Sequence, residues 1–167
     1  MAKILALTSR LPYPPREGHQ LRSWHLLSAI ARKHDVTLLS FVRDDDVLDD
    51  CAVLRETMSR LETFPIDAEH SRLALGRALT RGLLGRFPFV AEKYFSAELT
   101  ERVTTLARDV DLVHVDMLPL MINLRDVRVP IVLNAHNVEH VLIERRVEIE
   151  TRPLHRAFLR RQKTRLK

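Results

Sequence analysis

His136, Asn137 and Glu139 stand together directly after the apolar run Val132-Leu133-Asn134-Ala135. An imidazole and a carboxamide offer oriented donors and acceptors, which is what the hydroxyls of a polar ligand need. Asn137 with Glu139 also reads as a helix start, an amide cap followed by an acid in the first turn. Both readings can hold at once. Asp116 closes a second apolar run, Leu112-Val113-His114-Val115. Its carboxylate can accept from a sugar hydroxyl or cap the turn that follows. His114, inside that run, reads as a hydrogen-bonded core or cleft-edge histidine. Gly18 ends a turn-rich stretch and precedes a helix, where bare backbone N–H groups can approach a phosphate. A plain turn glycine is the equal alternative. Arg22, one turn on, can add charge for that phosphate or form a surface ion pair.

Other chemistries lack their residues. Cys51 is the only cysteine, so an internal disulfide and a cysteine zinc cage are excluded. Its neighbours Val47, Leu48, Val53 and Leu54 point to packing. His136 and His140 share i,i+4 spacing, but the HExxH pattern is absent and His136 precedes the helix, so no metal is expected. GxGxxG, P-loop and GxSxG patterns are also missing, and no cofactor is expected.

These residues need a scaffold. The chain has 167 residues, of which 46% are hydrophobic and 29% charged, which suits one folded domain with a substantial core. Strand patterns fall at 3–8, 35–42, 61–66, 111–115 and 130–135. Helical patterns fall at 19–33, 47–59, 68–84, 96–108 and from Val138 past Glu150, with a break near Gly85 and Pro88. Leu21, Trp24, Leu26, Leu27 and Ile30 mark the apolar side of the first helix, and Asp44-Asp45-Asp46 suits a cap for the second. Residues 117–126 read as a short helix or an irregular crossover. The alternation, with continuous apolar strands, predicts an α/β, Rossmann-like, mostly parallel sheet with helices on both faces. In such folds ligands gather beyond the carboxyl ends of the strands, where Gly18, Asp116 and His136 fall.

Charge is uneven. Residues 144–167 hold nine Lys/Arg and three Glu, a net of +6, which leaves −1 for the rest of the net +5. A basic tail on a near-neutral domain argues against nucleic acid as a partner. No signal-peptide pattern and no run of ~18 apolar residues occurs, so a cytoplasmic protein is expected. The stretch 71–90 carries Arg72, Arg77, Arg81 and Arg86 without an acid, among leucines and phenylalanines. It suits either an anionic membrane surface, which would make the protein peripheral on the inner face, or ordinary packing with leucines inward.

Three segments together resemble a known family. They are Leu5-Ala6-Leu7-Thr8-Ser9-Arg10-Leu11-Pro12-Tyr13-Pro14-Pro15 with Gly18 and Arg22-Ser23-Trp24-His25-Leu26-Leu27; Asp111-Leu112-Val113-His114-Val115-Asp116; and Val132-Leu133-Asn134-Ala135-His136-Asn137-Val138-Glu139. In order and spacing they resemble the amino-terminal half of retaining glycosyltransferases of the GT-B fold, most closely the fourth sequence family. The chain departs from that pattern in carrying Gly18-His19 where a glycine pair is usual, and Asp116 where many relatives carry histidine. The resemblance implies that 1–150 form the acceptor-side domain and that 151–167 lead, as a basic exit segment, toward a donor-binding domain. It implies a parent enzyme that moves a sugar from a nucleotide-sugar donor to a glycan or lipid-linked acceptor without an obligatory metal, and a fragment inactive alone. It places His136 in the active cleft as the catalytic candidate, with Gly18, Arg22, Asp116, Asn137 and Glu139 binding substrate. A stand-alone carbohydrate or protein interaction domain is the alternative; a nicotinamide oxidoreductase fits the sheet but lacks the glycine fingerprint.

Overall fold

The computed structural model describes residues 1–43 and 51–166. Five strands form one sheet: β1 (Lys3–Thr8), β2 (Asp35–Val42), β3 (Arg60–Pro65), β4 (Leu112–Val115) and β5 (Ile131–Leu133), in the order β3-β2-β1-β4-β5. Every pairing is parallel, so each connection must cross over a face of the sheet. The helices are α1 (Gly18–Ala31), α2 (Cys51–Thr57), α3 (Asp67–His70), α4 (Arg72–Leu84), α5 (Phe89–Lys93), α6 (Ala97–Leu106), α7 (Glu139–Ile149) and α8 (Pro153–Arg165). A 3-10 helix at Leu118–Asn123 carries the chain away from β4.

The two faces of the sheet have separate cores, set by side-chain alternation along each strand. Ile4, Ala6, Val36 and Leu38 pack with Leu27 of α1 and with Cys51 and Leu54 of α2. Leu5, Leu7, Leu39, Phe41, Val113 and Val115 pack on the other face with Ala78, Tyr94, Leu99, Val103 and Leu120. The expected Rossmann-like architecture, a parallel sheet with helices on both faces, is therefore what forms, although the edge strand β5 is itself exposed. Cys51 is a buried core residue. The Asp44-Asp45-Asp46 cap and the first turn expected for its helix lie outside the described residues.

Local chemistry sets several boundaries. The stretch 68–84 is two helices rather than one, because Ser71 is extended and its hydroxyl caps α4 by accepting from Ala74 N–H at 3.3 Å. Ser96 caps α6 in the same way through Leu99 N–H. Asn123 is fully buried and fully used: its amide donates to Tyr94 O at 2.8 Å, and its Oδ1 accepts from Ser96 N–H at 3.0 Å and the Thr100 hydroxyl at 3.1 Å. It ties the 3-10 helix to α5 and α6.

One expectation about packing is corrected, and for α4 the choice between inward and outward leucines is decided. α1 turns Gln20, Ser23 and Leu27 inward, while Leu21 and Leu26 are exposed. Gln20 is drawn in because its amide donates to Leu11 O at 2.8 Å and its Oε1 accepts from Glu17 N–H at 3.0 Å. In α4 the buried residues are Ala78 and Gly82, while Leu73, Leu75, Leu79, Leu83 and Leu84 are exposed. The interior contact is so close there that only small residues fit: a Cβ on Gly82 would lie 2.5 Å from Phe89 Cα.

The basic tail forms α8 and folds back over α4 and α5. Gln162 is buried, donating to Gly82 O at 2.9 Å and accepting from Phe89 N–H at 2.6 Å. Arg161 donates to Leu83 O at 2.7 Å, and Arg165 donates to Gly82 O at 2.5 Å and Leu83 O at 2.9 Å. Lys163 bonds Glu144 of α7. These cations meet carbonyls that the last turn of α4 leaves without intrahelical partners, at the negative end of its dipole.

Candidate functional site

The parallel register builds the site. Leu7, Val115 and Leu133 are aligned across β1, β4 and β5. One residue further, Asp116 N–H donates to Leu7 O at 2.9 Å and Asn134 N–H donates to Val115 O at 2.8 Å. The carboxyl ends of three strands therefore deliver Asp116 and Asn134 to the same rim of the sheet. α1 starts above that rim, after a loop containing the cis Tyr13–Pro14 peptide, and lowers Ser23 onto it.

Asp116 is the hub and is only 3% exposed. Its Oδ1 accepts from the Asn134 amide at 2.7 Å, its Oδ2 accepts from the Ser23 hydroxyl, and His136 Nε2 lies 3.1 Å from Oδ2. A buried carboxylate is costly unless its oxygens are met by donors, and here both are. The His136 contact has ion-pair distance but lies off the hydrogen-bond direction, so both ring nitrogens of this buried side chain are unsatisfied. His114, one residue inside β4, is also buried with an unsatisfied Nδ1. The His19 ring sits edge-on to His136, with centroids 6.1 Å apart. Glu17, at the head of α1, lies 3.3 Å from both Arg10 Nη1 and His19 Nδ1.

Burial holds His114 and His19 below the usual histidine range, against the opposing pull of nearby carboxylates. Glu139, in the first turn of α7, is half-buried, and burial pushes its carboxyl up despite the charge of His136. The site thus gathers three imidazoles around one carboxylate, with a second carboxyl shifted toward its neutral form. Such groups can donate to, accept from or exchange protons with hydroxyls of a polar ligand.

The structure brings Asp116 and His136 together beside α1, which begins at Gly18, and Glu139 is close enough to His136 to feel its charge. Gly18 has no positive φ, and a Cβ there would meet nothing within 4 Å, so the fold itself does not require glycine. Arg22 and Asn137 are exposed, and their side chains make no hydrogen bond or ion pair among the described residues. The helix after His136 begins at Glu139 with Val138 at its cap position, so Asn137 does not cap it.

Ser23, Asn134 and His19 complete the site, and the sequence reading did not single them out. A signal existed for Asn134, a polar residue ending an apolar strand pattern at a ligand-bearing rim. Ser23 carried none, because its importance comes from meeting Asp116, 93 positions away. Among the described residues no cluster of three or more His, Cys, Asp or Glu is arranged to hold a metal.

No family model, curated protein or solved structure matches the chain. The fold and the position of the site define its class: a Rossmann-like α/β domain with an open parallel sheet and a polar site at the carboxyl rim of β1, β4 and β5, the place where such domains bind nucleotides and related ligands.

Proposed function

We propose that the chain is the acceptor-side domain of a retaining GT-B glycosyltransferase, moving a sugar from a nucleotide-sugar donor to a glycan or lipid-linked acceptor. The reading is supported by one observation above the rest: the three segments that resemble the fourth glycosyltransferase family converge on one rim, with His136 3.1 Å from Asp116 and beside His19. In this reading His136 hydrogen-bonds the reacting sugar or the acceptor hydroxyl. Asp116, itself fixed by Ser23 and Asn134, faces His136 at 3.1 Å and biases its orientation. Gly18 leaves room for a ligand against the α1 backbone, and Arg22, Asn137 and Glu139 line the approach. A second domain contributes the donor diphosphate contacts, and holding both substrates across a closed cleft lowers the entropy lost at reaction.

The test is transfer from nucleotide sugars by this chain joined to whatever coding sequence follows it. Activity should appear only with a second Rossmann-like half, and His136→Ala should lower kcat by roughly 100-fold or more, as loss of an oriented donor does. Full activity of His136→Ala in such a protein would end the reading.

The packing of α8 favours a second reading, a stand-alone carbohydrate or protein interaction domain. Gln162, Arg161 and Arg165 seal the tail onto α4 and α5 rather than leaving it extended. That reading requires the 167-residue chain to bind glycans in calorimetry by itself, whereas the first requires weak binding until a partner domain is present.

Membrane contact through 71–90 belongs to the same proposal. The exposed leucines of α4 lie among Arg72, Arg77 and Arg81, which are also exposed. Insertion of the leucines with the arginines at anionic headgroups would place the acceptor side at the inner face of the membrane.

A further inference from the structure

A pocket of about 500 Å³ lies between α5, α7 and α8 and shares only Glu139 with the candidate site at the rim of the sheet. Its size is in the ~300–1,000 Å³ range of small-molecule sites. Phe89, Leu142, Ile143, Ile149, Phe158 and Leu159 supply apolar walls. Phe89 and Phe158 meet edge to face at 6.2 Å, and His155 stacks on Phe158 at 6.4 Å. The wall formed by α8 is anchored rather than merely adjacent, because Gln162 bonds both Gly82 and Phe89 and Lys163 bonds Glu144 of α7.

The charges at this pocket are not equivalent. Lys93 is paired with Glu69 at 2.6 Å, and His155 is engaged by Glu150. Arg145 and Arg146 are exposed and have no ion-pair partner among the described residues. Among the described residues Glu139 is the only acid lining the pocket, and it lies six residues before Arg145, about 9 Å along the helix axis. The lining of an apolar pocket therefore includes two guanidinium groups without an ion-pair partner among the described residues. Guanidinium pairs bidentately with phosphate, and its own hydration is weak enough to exchange readily.

We propose that this pocket binds a free single-chain anionic amphiphile, with the alkyl chain among Leu142, Ile143 and Phe158 and a phosphate head against Arg145 and Arg146. An apolar chain alone would leave the arginines unused, and an inorganic anion alone would leave the walls in water. Only a ligand carrying both parts answers both features. The site is distinct from the α4 surface, where the leucines project outward and no enclosed apolar cavity is needed. It also does not depend on sugar transfer.

Decyl phosphate, titrated calorimetrically below its micelle concentration into the 167-residue chain, should bind with one-to-one stoichiometry. Decyl maltoside and inorganic phosphate should each bind at least tenfold more weakly. The double variant Arg145→Glu/Arg146→Glu and the single variant Leu142→Glu should each weaken decyl phosphate at least tenfold. All three positions are exposed, so thermal midpoints near that of the parent chain are expected. As a measurement that needs no variant, decyl phosphate should shift the methyl resonances of Ile143 and Ile149 and leave that of Ile4, in the opposite core, unmoved. Equal binding of decyl maltoside, unchanged affinity in the charge-reversed variant, or a self-associated chain that binds no decyl phosphate would each overturn the proposal. So would binding seen only with anionic vesicles, which would assign the charge to a bilayer surface.

Discussion

Asp116 shows how one buried side chain organises its surroundings. Its two oxygens are divided between Ser23, Asn134 and His136, which belong to α1 and to the segment just after β5. Removing a donor leaves a buried acceptor short of a partner, which costs about 1–3 kcal/mol. Ser23→Ala and Asn134→Ala should each lower stability by that amount in urea unfolding. The double variant should depart from additivity, because both act on one carboxylate. Additive losses would mean that Asp116 does not couple them. Protonation gives a second test. His114 and His19 titrate below 6.5 in the folded chain, so the unfolded chain binds more protons as pH falls through that value. The stabilisation is present above 6.5 and is lost on acidification. Glu139 has the opposite sign: its raised pKa adds stability that is complete below 4.5 and lost as pH rises through its folded value. Comparing unfolding midpoints at about pH 7.5 and about pH 5.5, His114→Leu should flatten the acid loss of the parent chain. An unchanged slope would remove His114 from the account.

At the scale of elements, apolar periodicity located the strands well, misjudged the inner face of α1 and left that of α4 open. β2 and the order of elements follow directly from runs such as Val36-Thr37-Leu38-Leu39, because a buried parallel strand must be apolar on both sides. The inner face of α1 is polar where it crosses the rim, since Ser23 and Gln20 have buried partners that periodicity does not encode. The face of α4 is set by closeness of approach rather than hydrophobicity. Gly82→Ala would push a methyl against Phe89 backbone and should cost about 1–3 kcal/mol, lowering the thermal midpoint by about 2–4 °C per kcal/mol. Gly76, on the same helix, has open space around it, and Gly76→Ala should raise stability by about 0.4–1 kcal/mol. If both variants behaved alike, the close contact of α4 with α5 would not exist.

For the whole molecule the decisive feature is where charge and apolar surface end up. In the fold the basic tail forms α8, which caps the end of α4, and Arg161 and Arg165 are committed to backbone carbonyls. The exposed leucines of α4 predict binding to anionic liposomes that weakens as salt is raised from about 0.05 M to about 0.5 M. Leu79→Ser/Leu83→Ser should weaken it severalfold at constant charge. Among the described residues no helix is long and apolar enough to cross a membrane. Salt-independent or absent liposome binding would remove the membrane from the proposal.

The amino-acid sequence alone determined the class of fold and the end of the sheet that matters. Alternating apolar runs and helices admit few arrangements other than a covered parallel sheet, and chain direction then fixes which loops share a rim. That is why Asp116 and His136, which follow β4 and β5, are expected at the same end of the sheet. Only the tertiary structure decided that Asp116 is bonded by Ser23 and Asn134, that Gln162 pins α8, and that Arg145 and Arg146 overhang an apolar pocket. Those facts depend on distances between residues far apart along the chain, which local periodicity and residue type do not contain.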